Sequence, residues 1–155
     1  MIRIAQIFIW LILAMPTWAS ADFLRPELAF KFSASLVDAN TAEVRYDIAD
    51  GYYMYREQFK FSATDATLGT PMIPAGQVKY DETFAKDVEM YRDAVVIRIP
   101  VTASAPFNLS AISQGCSDAG LCYPPQESSV RLDPSKLAAS STALPKSSGR
   151  SGSSS

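Results

Sequence analysis

Hydrophobic and polar residues alternate along much of the chain between residues 28 and 132. Val44, Tyr46 and Ile48 occupy one strand face while charged residues occupy the other, a period of two that is typical of a half-buried β-strand. The other stretches with this alternation are 30–32, 53–61 and 95–101, with shorter candidates at 77–80, 88–91, 107–113 and 128–132. No window holds an apolar stripe of helical spacing long enough to predict a helix.

Turn-forming residues separate these stretches, as in Asp38-Ala39-Asn40, Asp50-Gly51 and Pro74-Ala75-Gly76. Roughly seven to nine short strands over about 105 residues, divided by frequent turns, are typical of an all-β domain. We therefore predict an immunoglobulin-like antiparallel β-sandwich. A small β-barrel is the alternative.

The first 21 residues have the parts of a secretory signal peptide. Arg3 precedes an apolar run over 7–15, and the small residues Ala19-Ser20-Ala21 place a cleavage point before Asp22. An uncleaved membrane anchor is the alternative, but the apolar run is short for a membrane span. The prediction is an exported protein from which residues 1–21 are removed.

The amino-acid composition of the chain changes after residue 133. Residues 134–155 are rich in serine, contain Pro145 and finish with Ser-Gly-Ser-Ser-Ser. This composition predicts a flexible tail or linker. One folded domain is therefore expected over residues 22–133.

Composition excludes several kinds of chemistry. The 155 residues include two Cys and no His, so a Ser-His-Asp or Cys-His catalytic group cannot form, and a zinc finger lacks its ligands. A formal net charge of −2 with 19% charged residues gives no basic surface for nucleic acid. The chemistry must come from two thiols, carboxylates or tyrosines.

Five residues, Gly120 among them, separate Cys116 from Cys122, and export predicts that the two pair. Closing so short a loop gives roughly 2.4 kcal/mol of chain-entropy stabilisation, against about 4.7 kcal/mol for a hundred residues. Short spacing thus modestly favours a redox-active pair, although a structural disulfide is about equally consistent with the residues. A soft-metal site is the weakest alternative, because two thiolates need further ligands.

The thiols have no obvious activator in sequence. Thiolates are stabilised by His, Lys, Arg or a helix N-terminus, and the intervening loop contains none of these residues. Asp118 in that loop would oppose ionisation. We therefore expect that Cys122 is not strongly acidic and that access, rather than acidity, controls its reactivity.

The segment Gln-Gly-Cys-Ser-Asp-Ala-Gly-Leu-Cys-Tyr-Pro-Pro at 114–125 resembles the active-site segment of the N-terminal periplasmic domain of DsbD, the bacterial thiol:disulfide interchange family. The segments 50–56 and 81–86, the latter followed by 89–93, resemble that family in order and spacing. The resemblance covers most of residues 22–133.

This resemblance implies an immunoglobulin-like protein-disulfide reductase domain in the periplasm, without a metal or other cofactor. It would accept electrons from a thioredoxin-like domain and pass them to periplasmic disulfide isomerases and cytochrome c maturation thioredoxins. Contact with the membrane would be indirect, through a transmembrane region that the family has.

The resemblance also assigns roles to residues. Cys122 would form the mixed disulfide with a partner, and Cys116 would resolve it. A cap loop at 81–85 would shield the pair, with Phe84 as its ring. The other residues that the resemblance places at the site are Asp81, Glu82, Tyr53, Tyr55 and Tyr123.

Each of these assignments has a competing explanation. The tyrosines could serve cross-strand packing alone, and Asp81 and Glu82 could be an acidic surface turn rather than groups that tune proton transfer. For the whole protein, the alternative is a secreted immunoglobulin-like binding or structural module with a structural Cys116–Cys122 disulfide.

Overall fold

The computed structural model describes residues 22–141, with side chains as far as residue 137. Its strands are β1 Phe30–Asp38, β2 Thr41–Ile48, β3 Tyr52–Tyr55, β4 Lys60–Thr64, β5 Thr67–Leu68, β6 Gln77–Asp81, β7 Lys86–Tyr91, β8 Ala94–Thr102, β9 Phe107–Ser113, β10 Gly115–Ser117 and β11 Gln126–Leu132. The short helices are α1 Pro26–Ala29, a 3-10 turn at Arg56–Gln58 and α2 Pro134–Ser141.

The strands form three antiparallel sheets. Their strand orders are β1-β2-β8-β5, β10-β3-β7-β6 and β11-β9-β4, and the paired strands within each run antiparallel. The predicted immunoglobulin-like antiparallel β-sandwich is confirmed. Within the described part of the chain, no helix has the length and apolar character needed to cross a bilayer.

The alternation seen in sequence builds the core. In β2 and β8 every second residue is buried, and Val44 lies opposite Ile97 in their antiparallel register. All three sheets contribute to this core, for example through Ile97, Met54 and Leu109, each with no exposed surface. Burying a large apolar side chain stabilises a fold by about 1.5–3 kcal/mol, so this alternation accounts for the sandwich.

The stretch 53–61, which alternates in sequence like one strand, is divided in the structure. β3 ends at Tyr55, and the 3-10 turn follows before β4 begins. The turn closes with a hydrogen bond from Phe59 N–H to the Arg56 carbonyl oxygen. Arg56 is held there because its guanidinium donates to Pro74 O at 2.7 Å and to Glu89 at 3.1 Å.

The C-terminal part of the described chain also differs from expectation. α2 occupies residues for which composition predicts the start of a flexible tail. Asp133 accounts for the difference, because its carboxylate accepts hydrogen bonds from the backbone N–H and the hydroxyl of Ser135 at 2.9 and 2.7 Å, and Pro134 suits the first helical position. The predicted signal peptide and the rest of the tail lie outside the described residues.

Candidate active site

The two cysteines lie directly opposite each other across a short antiparallel bridge. Ser117 N–H donates to Leu121 O at 2.7 Å, and Tyr123 N–H donates to Gly115 O at 3.0 Å. These bonds flank the pair, a register in which opposed Cα atoms come close together. Cys116 and Cys122 are joined by a disulfide with their Cα atoms 4.1 Å apart. The pairing expected from export is therefore present.

The two halves of the disulfide differ in exposure. Cys116 belongs to β10 and has no solvent-exposed surface. Cys122 follows the loop and is exposed. An incoming thiolate can therefore reach the pair from the side of Cys122.

Two glycines allow this placement. Gly115 packs so closely that a Cβ atom there would lie 2.6 Å from the Tyr53 carbonyl oxygen and closer still to the Phe30 ring. β10 can therefore lie against β3 only with glycine at this position. Gly120 has a φ of +95°, which glycine adopts without steric cost, and it turns the chain back toward Cys122.

Tyr55 connects the buried cysteine to an acidic residue. Its side chain is 2% exposed, and its hydroxyl lies 3.4 Å from Cys116 Sγ. The same hydroxyl donates to Asp81 Oδ2 at 2.7 Å. Burial, followed by the neighbouring Tyr53 and Asp81, raises the pKa of Tyr55, so the hydroxyl keeps its proton at neutral pH.

Asp81 ends β6 and organises the turn to β7. Its other oxygen, Oδ1, accepts the backbone N–H groups of Thr83 at 2.8 Å and Phe84 at 3.2 Å. Asp81 is 7% exposed. Burial alone would raise its pKa, but the hydrogen bonds from Tyr55, Phe84 and Thr83 outweigh burial and hold the pKa below its usual value. Asp81 is therefore ionised and structural in this turn.

The predicted cap loop is the turn between β6 and β7. Phe84 packs its ring edge-to-face on Tyr55, with centroids 5.2 Å apart, and is 37% exposed. Glu82 is exposed and borders a groove of about 320 Å³ together with Tyr53 and Arg92. Phe84 thus contacts the residue whose hydroxyl lies against Cys116.

The two remaining predicted tyrosines have different surroundings. Tyr53 is opposite Cys116 in the β3–β10 register, and its ring meets Tyr55 edge-to-face at 5.5 Å. Tyr123 is buried and donates a hydrogen bond to Leu24 O. Burial and then Tyr52 raise the pKa of Tyr123 to about 12. The structure therefore brings Tyr53 and Tyr55 to Cys116 and uses Tyr123 for packing.

A further charged residue at the site was not found from sequence. Arg92 follows β7 and donates to both carboxylate oxygens of Asp118, at 2.7 and 3.0 Å. Its guanidinium also lies 5.2 Å from the centre of the Tyr53 ring. The negative charge expected at Asp118 is thus paired with a cation, which only the packing of the β7 end against the cysteine loop reveals.

The arrangement can support thiol–disulfide exchange. It offers one exposed half-cystine, one buried half-cystine beside a hydroxyl, and a carboxylate that accepts the hydrogen bond of that hydroxyl. Over residues 22–141, no three His, Cys, Asp or Glu side chains come together in a group that could hold a metal ion.

Sequence comparisons give this site a family context. Residues 20–134 match the family model described as thiol:disulfide interchange protein DsbD, N-terminal. The chain is 49% identical over 136 residues to thiol:disulfide interchange protein DsbD of Ralstonia nicotianae, covering 86% of this chain and 22% of that protein. It is 37% identical over 121 residues to DsbD 2 of Pseudomonas aeruginosa, covering 78% and 20%. The chain thus spans about a fifth of these relatives.

Two solved structures from Neisseria meningitidis have the same fold. The reduced DsbD N-terminal domain matches with a TM-score of 0.67 and 33% identity, over 72% of this chain and 90% of that one. A complex between the DsbD and PilB N-terminal domains matches with a TM-score of 0.61 and 33% identity, over 72% and 88%. With the family model matched over most of the chain, these similarities show that the chain belongs to the family of DsbD N-terminal domains.

Proposed function

We propose that this domain is a periplasmic protein-disulfide reductase module that carries two electrons on Cys116 and Cys122. A thioredoxin-like donor reduces the disulfide to a dithiol, and the dithiol then reduces a disulfide in an acceptor protein. The observation that carries this proposal is the difference in exposure between Cys122, which is exposed, and Cys116, which is fully buried.

The exposed position makes Cys122 the sulfur that exchanges with partners. In the forward step the Cys122 thiolate attacks an acceptor disulfide, a Cys122–acceptor bond forms, and one acceptor sulfur leaves as a thiolate. Cys116 then attacks Cys122 Sγ, which restores the Cys116–Cys122 bond and releases the second acceptor sulfur as a thiolate. Two electrons pass to the acceptor, and no cofactor takes part.

Tyr55 assists Cys116 in this scheme. When Cys116 carries negative charge, the Tyr55 hydroxyl can turn from Asp81 and donate its hydrogen bond to the sulfur 3.4 Å away. Hydrogen bonding to the charged form stabilises that form. Asp81 Oδ1 also holds the backbone of the β6–β7 turn, so this exchange removes the hydrogen bond that ties the turn to Tyr55.

The cap loop regulates access to the pair. Phe84 rests on Tyr55 through one edge-to-face contact, and an exposed ring of this kind can be moved by an incoming protein. Glu82 lies beside the same approach and can tune proton transfer during exchange. The loop thus packs over Tyr55 beside the buried Cys116, and a matched partner that binds at the exposed Cys122 displaces it.

The Neisseria complex of DsbD and PilB N-terminal domains supports a protein partner for this domain. The family resemblance favours a thioredoxin-like donor, with periplasmic disulfide isomerases and cytochrome c maturation thioredoxins as acceptors. A structural disulfide is the competing function, and it does not require an exposed half-cystine beside an aromatic turn.

A thiol-transfer assay tests the proposal. The reduced chain is mixed with an oxidised thioredoxin-like protein, the reaction is quenched in acid, and free thiols on both proteins are counted by alkylation and mass measurement. Two thiols should appear on the acceptor for every two lost from this chain. A structural disulfide would instead have a potential below about −300 mV. Its dithiol form would reduce oxidised glutathione as readily as it reduces a thioredoxin-like acceptor.

A further inference from the structure

The loop between the cysteines is attached to the sheet through its acidic residue. Arg92 donates to the Asp118 carboxylate at 2.7 Å from Nη2 and 3.0 Å from Nη1. The backbone N–H of Asp118 donates to Gly51 O at 2.8 Å. The middle of the redox loop is therefore held at two points that do not involve the disulfide.

Arg92 is itself held in place. Its guanidinium lies 5.2 Å from the centre of the Tyr53 ring, a cation–π distance. Tyr53 lies opposite Cys116 in the β3–β10 register. The guanidinium therefore joins the strand beside Cys116 to the loop that precedes Cys122. We name the pair of Arg92 and Asp118 the loop clamp.

We propose that Arg92 is a positioning residue for thiol–disulfide exchange, because the loop clamp keeps Cys122 within reach of Cys116 after the disulfide opens. This inference rests on the proposed function, since the loop clamp matters only in a pair that opens and closes. Arg92 acts through Asp118 and the loop and does not touch the reacting sulfurs.

The loop clamp matters most in the reduced state. In the disulfide form, the Cys116–Cys122 bond itself fixes the loop. In the dithiol form and in the mixed disulfide, the loop is held by its hydrogen bonds and by the loop clamp. A loop held in place keeps each sulfur at a high effective concentration near the other. The loop clamp therefore favours closure of the disulfide and speeds release of the acceptor.

The effect should appear in redox behaviour rather than in folding. The side chains of Arg92 and Asp118 are 31% and 50% exposed, and ion pairs at such positions add little to folding stability. Their two parallel hydrogen bonds nevertheless fix direction as well as distance. A small loss of order in the loop acts directly on the distance between the two sulfurs.

The test measures the equilibrium of the cysteine pair in glutathione buffers, using the full chain. Asp118→Asn and Arg92→Gln should each lower the equilibrium constant for disulfide closure about three- to tenfold, which raises the reduction potential by about 15–30 mV at 29.6 mV per tenfold. Arg92→Lys should show a smaller change. The double variant should shift no further than either single variant, since both remove the same interaction.

Asp47→Asn is the matched control. It removes a comparably exposed pair, in which Arg45 donates to Asp47 at 2.6 and 2.9 Å within β2, and should leave the potential unchanged. In stopped-flow exchange, release of the acceptor from the mixed disulfide should slow severalfold for Asp118→Asn. Urea unfolding of the oxidised variants should give midpoints close to that of the parent chain.

An unchanged potential and release rate in Asp118→Asn would overturn the proposal, and so would an equal change in Asp47→Asn. These outcomes differ from failure of the proposed function, in which the parent chain itself would form no mixed disulfide. If Arg92→Gln does not fold, Asp118→Asn and Arg92→Lys decide the question.

Discussion

Tyr55 donates a hydrogen bond to Asp81 at 2.7 Å, and this contact links the buried cysteine to the cap loop. On one side the Tyr55 hydroxyl lies 3.4 Å from Cys116 Sγ. On the other side Asp81 accepts the backbone N–H of Phe84, whose ring packs on Tyr55. A change in the charge of Cys116 and a movement of Phe84 should therefore affect each other.

Removing the hydroxyl tests this connection. In Tyr55→Phe, Asp81 loses a hydrogen-bond donor in a buried position, so the free energy of unfolding should fall by about 1–2 kcal/mol. Cys116 loses the donor that stabilises its thiolate, so release of the acceptor should slow. Urea unfolding and stopped-flow exchange measure the two effects. Tyr46→Phe, in a ring packed on Phe32 and Phe59, is the control and should leave the release rate unchanged.

The Asp81 carboxylate should make stability depend on pH. Folding lowers its pKa, so its contribution is present above the unfolded-state value of about 3.9 and is lost as pH falls through the lower folded-state pKa. Asp81→Asn should cost about 1–3 kcal/mol at pH 7. Unfolding midpoints measured from pH 7 to pH 2.5 should converge for the two chains at the acid end. A constant difference over this range would contradict the assignment.

Phe84 should control access more than stability. Its edge-to-face contact with Tyr55 corresponds to about 0.5–1 kcal/mol, so Phe84→Ala should speed reduction of the disulfide by dithiothreitol about two- to fivefold. Tyr80→Ala removes a more exposed aromatic ring, 60% exposed, from the same hairpin and serves as the control. Equal rates of disulfide reduction for Phe84→Ala and the parent chain would show that Phe84 does not act as a cap.

The close packing of β10 on β3 predicts that Gly115 cannot be replaced. A methyl group there would clash with the Phe30 ring and the Tyr53 carbonyl oxygen. The carbonyl oxygen belongs to the backbone of β3 and cannot move aside as a side chain can. Gly115→Ala should destabilise the fold by about 1–3 kcal/mol, measured by thermal unfolding. Gly120→Asn is the comparison, because open space surrounds Gly120 and Asn tolerates positive φ, so its effect should be smaller.

Sequence alternation predicted the fold because the sandwich buries one face of each strand. Val44 and Ile97 meet in the core as a period of two requires. The alternation did not predict the break after Tyr55, because Phe59 and Phe61 continue the apolar period of two although the chain turns between Tyr55 and Phe59. That turn depends on Arg56 and its contacts with Pro74 and Glu89, which are distant in sequence.

The site, like the fold, could be predicted only where its features depend on residues close together in sequence. Export predicted that the two cysteines pair, as they do, and the resemblance predicted the cap role of residues 81–85, which stays a prediction. The difference in exposure between Cys116 and Cys122 depends on β10 lying against β3, which no local pattern reveals. Arg92 was not predicted because it lies 26 positions before Asp118 in the chain, and the loop sequence alone contains an acidic residue without its cation.

Cys122 is proposed to be the half of the pair that exchanges with partners, and trapping the mixed disulfide shows which sulfur a partner attaches to. Cys116→Ser and Cys122→Ser chains are each reduced and mixed with a thioredoxin-like protein whose second active-site Cys is replaced by Ser and whose remaining Cys is activated as a mixed disulfide with thionitrobenzoate, which departs as the leaving thiolate. The products are separated without reductant. Cys116→Ser, which retains Cys122, should give a covalent dimer that dithiothreitol dissolves, and Cys122→Ser should give little or none. A dimer formed mainly by Cys122→Ser, or by neither variant, would contradict this role of Cys122.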